Sequence, residues 1–378
     1  MASPPLRIAF HAPMKPASHP TPSGDRRIAR LTLQALERAG FAPFVASELR
    51  TLDMAGAPLR QAALEHRARD EAARLVGTLR ADPPALWLTY HSYWKAPDLL
   101  GPKVARGLGI PYVVTEPILS RRRRAGPWAG FAAAAEAGMR AADLLLWSTP
   151  RDRPGLDFLG HDRLAELPPF VDPGPPPAPR ARQTSGGRGA PLRLLVAAMM
   201  RPGDKAASYA RLAAGLAALP AAAPDWRLDI LGDGPARAEV EAMFAPLAPR
   251  VRFRGAVSDP AETRAAMETA DLLPWPGVGE GFGMVYLEAQ AAGLPCLAEN
   301  RPGPAHVLVP EAAGGLPLTD PAAPGAYAAG LAAALASPER LVRAGAAARA
   351  HILARHGIDA AAARLRALLL PLIEGAPR

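Results

Sequence analysis

The chain of 378 residues contains a single cysteine, Cys296, and only 6% of its residues are aromatic. A single thiol cannot form an intrachain disulfide, and the residues around it in the sequence include no set of metal ligands. We therefore expect Cys296 to pack in the hydrophobic core. No apolar run reaches the ~18 residues of a membrane span, and the N-terminus lacks a charged-then-apolar secretion signal. These absences predict a soluble, cytoplasmic protein without a bound metal, in which any membrane contact is peripheral.

The formal charge of +9 is unevenly distributed along the chain. Residues 1–190 hold 26 Lys+Arg against 17 Asp+Glu, whereas residues 191–378 hold 18 of each. This excess predicts electrostatic steering of an anionic partner to the first half: an anionic membrane surface, a phosphorylated acceptor or nucleic acid. Its densest point, Arg121–Arg124, is typical of a solvated loop. No nucleic-acid module and no interleaving of aromatic with basic residues is evident, so we expect no nucleic-acid partner.

Proline and glycine mark the domain organisation. The stretch from Val171 to Pro191 is rich in both and has few large apolar residues, which predicts a surface linker. Strand and helix patterns alternate on both sides of it, so the fold class is predicted to be α/β with two Rossmann-like domains. The predicted boundaries are 1–171 for the first domain, 172–191 for the linker, 192–355 for the second domain and 356–378 for a final helix.

The segment Gly279–Ala289 carries the strongest functional signal. Glu280 and Glu288 flank a glycine-rich corner that leads into an apolar helix. At ~1.5 Å per helical residue the two carboxylates lie on the order of 10 Å apart, too far for one water or one metal. Free amides in the first helical turn favour a phosphate, and carboxylates bind sugar hydroxyls. The pattern suits a nucleotide-sugar; the alternative is an ordinary strand-to-helix turn with acidic residues near a helix N-terminus.

Two cations follow an earlier strand pattern, Leu192–Ala198. Arg201 and Lys205 come directly after it and precede an alanine-rich helix. Ligands of open α/β sheets bind outside the carboxyl ends of strands, so both cations are placed to neutralise a diphosphate leaving group. The alternative is a pair of solvated charges at a helix start.

The pattern Glu-Gly-Phe-Gly-x-x-x-x-Glu-Ala, starting at Glu280, resembles the signature of the group 1 (family 4) glycosyltransferases, which are retaining enzymes of the GT-B fold. The resemblance covers almost all of residues 192–300. It implies that two domains face across a cleft, the first binding the acceptor and the second the nucleotide-sugar, with the final helix packing back towards the first. It also implies sugar contact by Glu280, ribose contact by Glu288, and diphosphate contact by Arg201, Lys205 and the backbone at Gly281, Phe282, Gly283, Met284 and Val285.

Three residues of the first domain are candidates through the same resemblance. Gly24 occupies the place of the family's glycine-rich loop, which touches the donor phosphate; the alternative is that Ser23 or Asp25 simply caps a helix. His91 ends a predicted strand where relatives often show a histidine near the acceptor, although a lone histidine is often structural. Glu116 stands where many relatives have a histidine. We hypothesise that Glu116 lines the acceptor pocket and accepts the proton of the attacking hydroxyl.

The sequence therefore predicts a retaining glycosyltransferase that moves a sugar from a nucleoside-diphosphate sugar to an acceptor, with no cofactor and no metal. One alternative is an epimerase or hydrolase acting on the nucleotide-sugar itself, since the same two-domain cleft serves those reactions. Another is a non-catalytic nucleotide-sugar-binding protein, suggested by the altered acceptor side and the basic first domain. The sequence leaves open the donor base, the sugar, the acceptor, the linkage and the oligomeric state.

Overall fold

A computed structural model of the chain describes residues 4–21, 23–160, 162–177 and 190–375. Most of the predicted linker 172–191 lies outside the described residues. The chain divides into two compact units. Unit 1 runs up to Pro169 and includes the chain from Ile358 onwards, and unit 2 is Phe170–Gly357.

Unit 1 contains a six-stranded parallel sheet in the order β2-β1-β3-β4-β5-β6. The central strands are continuous buried apolar runs, as expected of a parallel sheet covered on both faces. The strands are β1 Arg7–His11, β2 Ala42–Ser47, β3 Leu86–Tyr90, β4 Tyr112–Thr115, β5 Leu144–Trp147 and β6 Leu164–Glu166. The α-helices are α1 Gly24–Arg38, α2 Pro58–Leu79, α3 Gly101–Leu108, α4 Ala129–Ala141 and α5 Arg153–Leu159, with a 3-10 helix at Arg121–Arg124.

The last helix of the chain packs within unit 1. This helix, α13, spans Ile358–Glu374 and buries Leu365 and Leu369. Arg366 Nη1 donates to the carbonyl of Ala39 at the end of α1 (2.8 Å), and Arg38 pairs with Asp359 at 2.8 Å. Unit 1 is thus closed by a segment that follows unit 2 in the sequence.

Unit 2 also holds parallel strands. They are β7 Leu192–Ala197, β8 Trp226–Leu231, β9 Val251–Gly255, β10 Leu273–Pro274 and β11 Cys296–Leu297. The amide of Leu195 in β7 donates to the carbonyl of Leu272 beside β10 (3.1 Å), which gives the order β9-β8-β7-β10-β11. The helices are α6 Asp204–Ala217, α7 Arg237–Phe244, α8 Pro260–Thr269, α9 Met284–Ala291, α10 Pro302–Val307, α11 Ala326–Leu335 and α12 Pro338–His351, with 3-10 helices at Ala245–Leu247 and Glu311–Ala313 and a π-helix at Ile352–His356.

Strands β10 and β11 are only two residues long, although they lie within the longer apolar runs Ala270–Pro276 and Gly293–Ala298. Leu273 and Trp275 donate their amides to the partner strand at 2.9 and 3.0 Å. Pro274 and Pro276 have no amide hydrogen, so regular pairing ends there. Cys296 is a buried free thiol of β11, and its burial raises the pKa of that thiol.

Each sheet has one point at which the chain order reverses: between β1 and β3 in unit 1, and between β7 and β10 in unit 2. In open parallel sheets ligands bind outside the carboxyl ends of the strands at this switch point. The predicted α/β class with two Rossmann-like domains is confirmed. Within the described ranges, no helix is both long and apolar enough to cross a membrane.

Candidate functional site

The glycine-rich corner of unit 2 lies at its switch point, between β10 and α9. Gly277, Gly279 and Gly283 all have positive φ, at 83°, 65° and 77°. A Cβ on Gly279 would lie 2.1 Å from Oδ2 of Asp204, so the corner packs directly against the first turn of α6. A Cβ on Gly281 would have no described neighbour within 4 Å, so the backbone is open at this point.

Glu280 is held by two donors from different elements. Trp275 donates its Nε1 hydrogen to Glu280 Oε1 at 2.9 Å, and Lys205 from α6 forms an ion pair with the same oxygen. The Lys205 ammonium also lies 5.6 Å from the centre of the Trp275 ring. The side chains of Glu280 and Lys205 are 11% and 30% exposed. One carboxylate and one cation are therefore fixed side by side at the open end of the corner.

The first turn of α9 offers free backbone donors. Gly283 is its N-cap residue and no side chain caps the helix. The amides of Met284 and Val285 donate to no atom of the described residues, whereas the amide of Tyr286 donates to Gly283. Tyr286 anchors the helix by donating its buried hydroxyl to the carbonyl of Trp275 at 2.8 Å. Such a terminus has partial positive charge and is suited to a phosphate.

Arg201 and Glu288 are the other predicted donor-site residues of unit 2. Arg201 is exposed in the loop after β7, and its guanidinium has no partner among the described residues. Glu288 lies in the second turn of α9 and is half-buried. Both belong to the elements that meet at the switch point.

The Gly-Asp-Gly-Pro segment after β8 has a packing role. A Cβ on Gly232 would lie 1.9 Å from the carbonyl oxygen of Ala198, and one on Gly234 would lie 2.3 Å from that of Met200. The amide of Met200 donates to the carbonyl of Asp233 at 2.9 Å. These contacts fix the loop that presents Arg201.

In unit 1 the structure brings His91 and Glu116 together at the ends of β3 and β4. Their side chains are 14% and 12% exposed, with His91 Nδ1 3.3 Å from Glu116 Oε2. Both residues have left-handed backbone, with φ of 60° and 50°. Non-glycine residues rarely adopt this conformation, and such strain is concentrated at functional sites. The amides of both are bonded to the next strand, at Thr115 and Leu146, which holds them in place.

Two further carboxylates surround this pair. Asp25 lies in the first turn of α1 and Asp152 immediately precedes α5. Burial opposes protonation of His91, but its bond to Glu116 and the charges of Glu116, Asp25 and Asp152 raise its pKa. Burial and the charge of Glu116 raise the pKa of Asp152. Burial and Asp25 raise the pKa of Tyr93 to about 12. The strand ends of unit 1 therefore form an acidic cluster around one histidine.

Gly24 is the first residue of α1. The amide of Arg26 donates to Ser23 Oγ at 3.2 Å, so Ser23 does cap the helix. A Cβ on Gly24 would meet no described atom within 4 Å. Its role as a phosphate contact stays a prediction. Across both units, the described residues include no group of three or more His, Cys, Asp or Glu arranged to hold a metal ion.

Several residues that shape these sites were not anticipated. Trp275, Asp204 and Ser208 were missed, and the amide of Val278 donates to Ser208 Oγ at 3.0 Å. No sequence pattern joins residues that lie about 70 positions apart. Asp25 and Asp152 had a usable signal, because each is an acidic residue that follows a predicted strand at the same edge of the sheet.

Comparison with known proteins agrees with this geometry. Residues 191–337 match the family model of the group 1 glycosyl transferases. This part of the chain is therefore similar to the group 1 glycosyltransferases. The group 1 region includes Arg201, Lys205, Glu280 and Glu288. The resemblance to the group 1 family, which the corner sequence indicated, is therefore confirmed.

Two characterised relatives align with parts of the chain. A D-inositol 3-phosphate glycosyltransferase of Segniliparus rotundus is 31% identical over an alignment of 182 residues, with coverage of 40% of this chain and 40% of that protein. A GDP-mannose-dependent alpha-(1-6)-phosphatidylinositol dimannoside mannosyltransferase of Mycobacterium tuberculosis is 38% identical over 85 residues, 22% of each. The chain thus matches less than half the length of these relatives.

Solved structures resemble the chain over nearly its whole length. The sucrose-phosphate synthase of Thermosynechococcus elongatus has a TM-score of 0.68 at 20% identity, covering 98% of this chain and 99% of that one. The Anabaena protein Alr3699/HepE in complex with UDP has a TM-score of 0.69 at 15% identity, covering 96% and 99%. The group 1 region and the unit before it therefore share the fold of the GT-B glycosyltransferases.

Proposed function

We propose that the chain is a retaining glycosyltransferase that transfers a sugar from a nucleoside-diphosphate sugar to an acceptor hydroxyl. The observation that carries the proposal is the group at the switch point of unit 2. There the Lys205–Glu280 pair and the unpaired amides of α9 lie on either side of an open glycine corner. An anionic diphosphate and the hydroxyls of a sugar are the ligands that such a group fits.

The donor class has additional support from similar proteins. The HepE structures contain UDP and UDP-glucose, and the mycobacterial relative is named as GDP-mannose-dependent. In this chain the donor's diphosphate binds the amides at Phe282–Val285 together with Arg201 and Lys205. Glu280 contacts the transferred sugar, and Glu288 contacts the ribose.

The proposed reaction needs stabilisation of a leaving group more than it needs a nucleophile from the protein. The acceptor oxygen forms a bond to the anomeric carbon while the bond from that carbon to the diphosphate oxygen breaks. The acceptor proton passes to the departing diphosphate or to Glu116, and the new bond forms on the face that the diphosphate leaves. Arg201, Lys205 and the helix amides offset the developing negative charge, which is the role of a divalent cation in other transferases. No metal or cofactor is part of the proposal.

On the acceptor side we propose that His91 and Glu116 line the pocket. The carboxylate of Glu116 binds the attacking hydroxyl, and His91 fixes its orientation through the contact at 3.3 Å. Gly24 contributes a backbone contact to the donor phosphate. We also propose that the basic excess of the first half brings unit 1 to an anionic membrane surface, where the acceptor is presented.

The test is turnover of purified protein with a panel of nucleoside-diphosphate sugars and acceptors. Glu280→Gln is compared with Glu239→Gln, which removes the same charge from exposed helix α7 of the same unit. We expect loss of transfer only in Glu280→Gln, with the melting temperature unchanged. Wild-type transfer by Glu280→Gln would refute the proposed role.

The same assay distinguishes the alternatives. Rapid and complete consumption of the donor without an acceptor would identify an epimerase or hydrolase. Binding of a nucleoside diphosphate with no turnover on any acceptor would identify a non-catalytic binding protein. Neither alternative has a structural observation of its own.

A further inference from the structure

Unit 1 contains a cationic surface that the proposed transfer reaction does not use. Lys95 Nζ lies 4.9 Å from the centre of the Trp94 ring and 5.6 Å from that of Trp128. Arg123 Cζ lies 4.3 Å from Trp94 and 5.3 Å from Trp128. The two indoles pack edge to face with ring centres 5.1 Å apart. We refer to these four residues as the indole platform.

The two cations of the indole platform have no counter-ion. Neither the ammonium of Lys95 nor the guanidinium of Arg123 forms a hydrogen bond or ion pair within the described part of the chain. Since each lies within 5 Å of the same ring centre, their separation is smaller than the ~10 Å over which 0.1 M salt screens charges. Attraction to the indole faces offsets part of the repulsion. An anion between the two cations would remove the rest.

The acidic residue Asp53 contacts the platform through its backbone. Trp128 donates its Nε1 hydrogen to the backbone carbonyl of Asp53 at 3.1 Å. The buried carboxylate of Asp53, however, accepts hydrogen bonds from the amides of Ala55 and Ala57 and from Gln61, at 2.8 to 3.0 Å. Burial disfavours its charge, but these neutral donors outweigh burial and lower its pKa. Asp53 therefore stays ionised but forms no ion pair with Lys95 or Arg123.

Two other arginines of the run 121–124 have different partners from Arg123. Arg124 forms a two-pronged pair with Glu136, with contacts of 2.6 to 3.0 Å. Arg121 stacks at 4.2 Å over Phe158. The run forms a 3-10 helix and not a loop; it is largely exposed, as predicted, although three of its four side chains contact aromatic rings. Arg121 and Arg124 share the ring of Phe158, but Arg124 is paired with Glu136, whereas neither cation of the indole platform has an ion pair among the described residues.

We propose that the indole platform binds a phosphate group. A phosphate offers acceptors to both an ammonium and a planar guanidinium, and these two donors lie beside the same two indole rings. All four side chains are half-buried, so they are already ordered and lose little freedom on binding. The phosphate belongs either to a soluble phosphomonoester or to the headgroup of an anionic lipid. This binding goes beyond the proposed sugar transfer and is measurable without it.

The experiment compares the full chain with two double variants. Lys95→Gln/Arg123→Gln removes the platform charges, and Arg67→Gln/Arg69→Gln removes two exposed charges from α2 that contact no described residue. Soluble binding is measured by calorimetric titration with glycerol 3-phosphate. Lipid binding is measured by co-sedimentation with phosphatidylcholine vesicles that contain or lack phosphatidic acid. Melting temperatures check the fold, and Lys95→Met replaces the platform variant if that variant is unstable.

We expect the platform variant to bind at least one probe on the order of tenfold more weakly than wild type, with the α2 variant within about twofold. Loss confined to the vesicles identifies a lipid headgroup, and loss with glycerol 3-phosphate identifies a soluble phosphomonoester. Equal losses in both double variants would show that charge alone is responsible and overturn the proposal. The absence of binding to either probe in the wild type would also overturn it.

Discussion

The strand ends of the two units carry different sets of charged groups. In unit 2 the switch point combines Arg201, Lys205 and unpaired helix amides with the carboxylate of Glu280. In unit 1 three carboxylates surround one histidine. Yet residues 1–190, which include most of unit 1, hold the formal positive excess, and residues 191–378 have equal numbers of acidic and basic residues. The charge of a site is therefore set by the few residues that the topology places at the strand ends, and not by the composition of the unit.

The two sites also differ in their backbone. Glycines take the positive φ values in unit 2, where a side chain would clash with Asp204 or Tyr286. In unit 1 a histidine and a glutamate take them, where glycine would relieve the strain. In unit 2 the glycines avoid a steric clash with neighbouring side chains, whereas in unit 1 the left-handed backbone positions the side chains of His91 and Glu116.

The largest effect is expected from removing the cations of unit 2. Arg201→Ala/Lys205→Ala should lower kcat/KM on the order of 10³-fold or more, since two charged contacts to the leaving group are lost. Steady-state kinetics with the preferred donor measure it. Arg227→Ala, an exposed arginine of β8, serves as the matched control. If the double variant retains wild-type kcat/KM, the two cations of unit 2 do not bind the diphosphate.

In unit 1, Glu116→Gln should lower kcat about 10²-fold or more, because the amide accepts a proton poorly. Binding of the nucleoside diphosphate should be unchanged, which separates this site from that of unit 2. Pre-steady-state turnover and calorimetry on the same preparation measure both quantities. Full turnover with the true acceptor would show that Glu116 has no part in the reaction.

The backbone difference is tested by glycine substitutions. Gly279→Ala should destabilise the protein by about 2 kcal/mol or more, since it adds a clash with Asp204 to a positive φ. Gly281→Ala is the control and should be nearly neutral. Glu116→Gly should be more stable than Glu116→Ala by about 1 kcal/mol. Denaturant unfolding measures all four variants, and equal stabilities of Gly279→Ala and Gly281→Ala would contradict the packing described for the corner.

The smallest effect concerns pH. The folded-state pKa of His91 is raised, so its charged contact stabilises unit 1 fully below the unfolded pKa of ~6.5, and that contribution is lost as pH rises through the folded value. His91→Asn, whose side chain tolerates the left-handed backbone, should therefore destabilise by about 1 kcal/mol more at pH 5.5 than at pH 9. Melting temperatures across this range measure the difference. A larger loss at pH 9 would contradict the assigned charge state.

The sequence was sufficient to predict the α/β class, the two Rossmann-like domains and the family. Each rests on local patterns: apolar strands, helical spacing and the glycine corner at Glu280. It was insufficient for contacts between distant residues, such as the pairing of Lys205 with Glu280 or the indole platform. The ends of β10 and β11 do not follow from the apolar pattern either, because the prolines that stop pairing lie within it. The pairing of His91 with Glu116 follows from neighbouring parallel strands, whose order the sequence does not state.

The most direct test of the account is a crystal structure of the protein soaked with UDP and, separately, with GDP. We predict that the diphosphate of one of them lies at the amides of Met284 and Val285, within hydrogen-bond distance of Arg201 or Lys205. A nucleotide bound elsewhere, or a corner that stays empty at saturating ligand, would contradict the central claim.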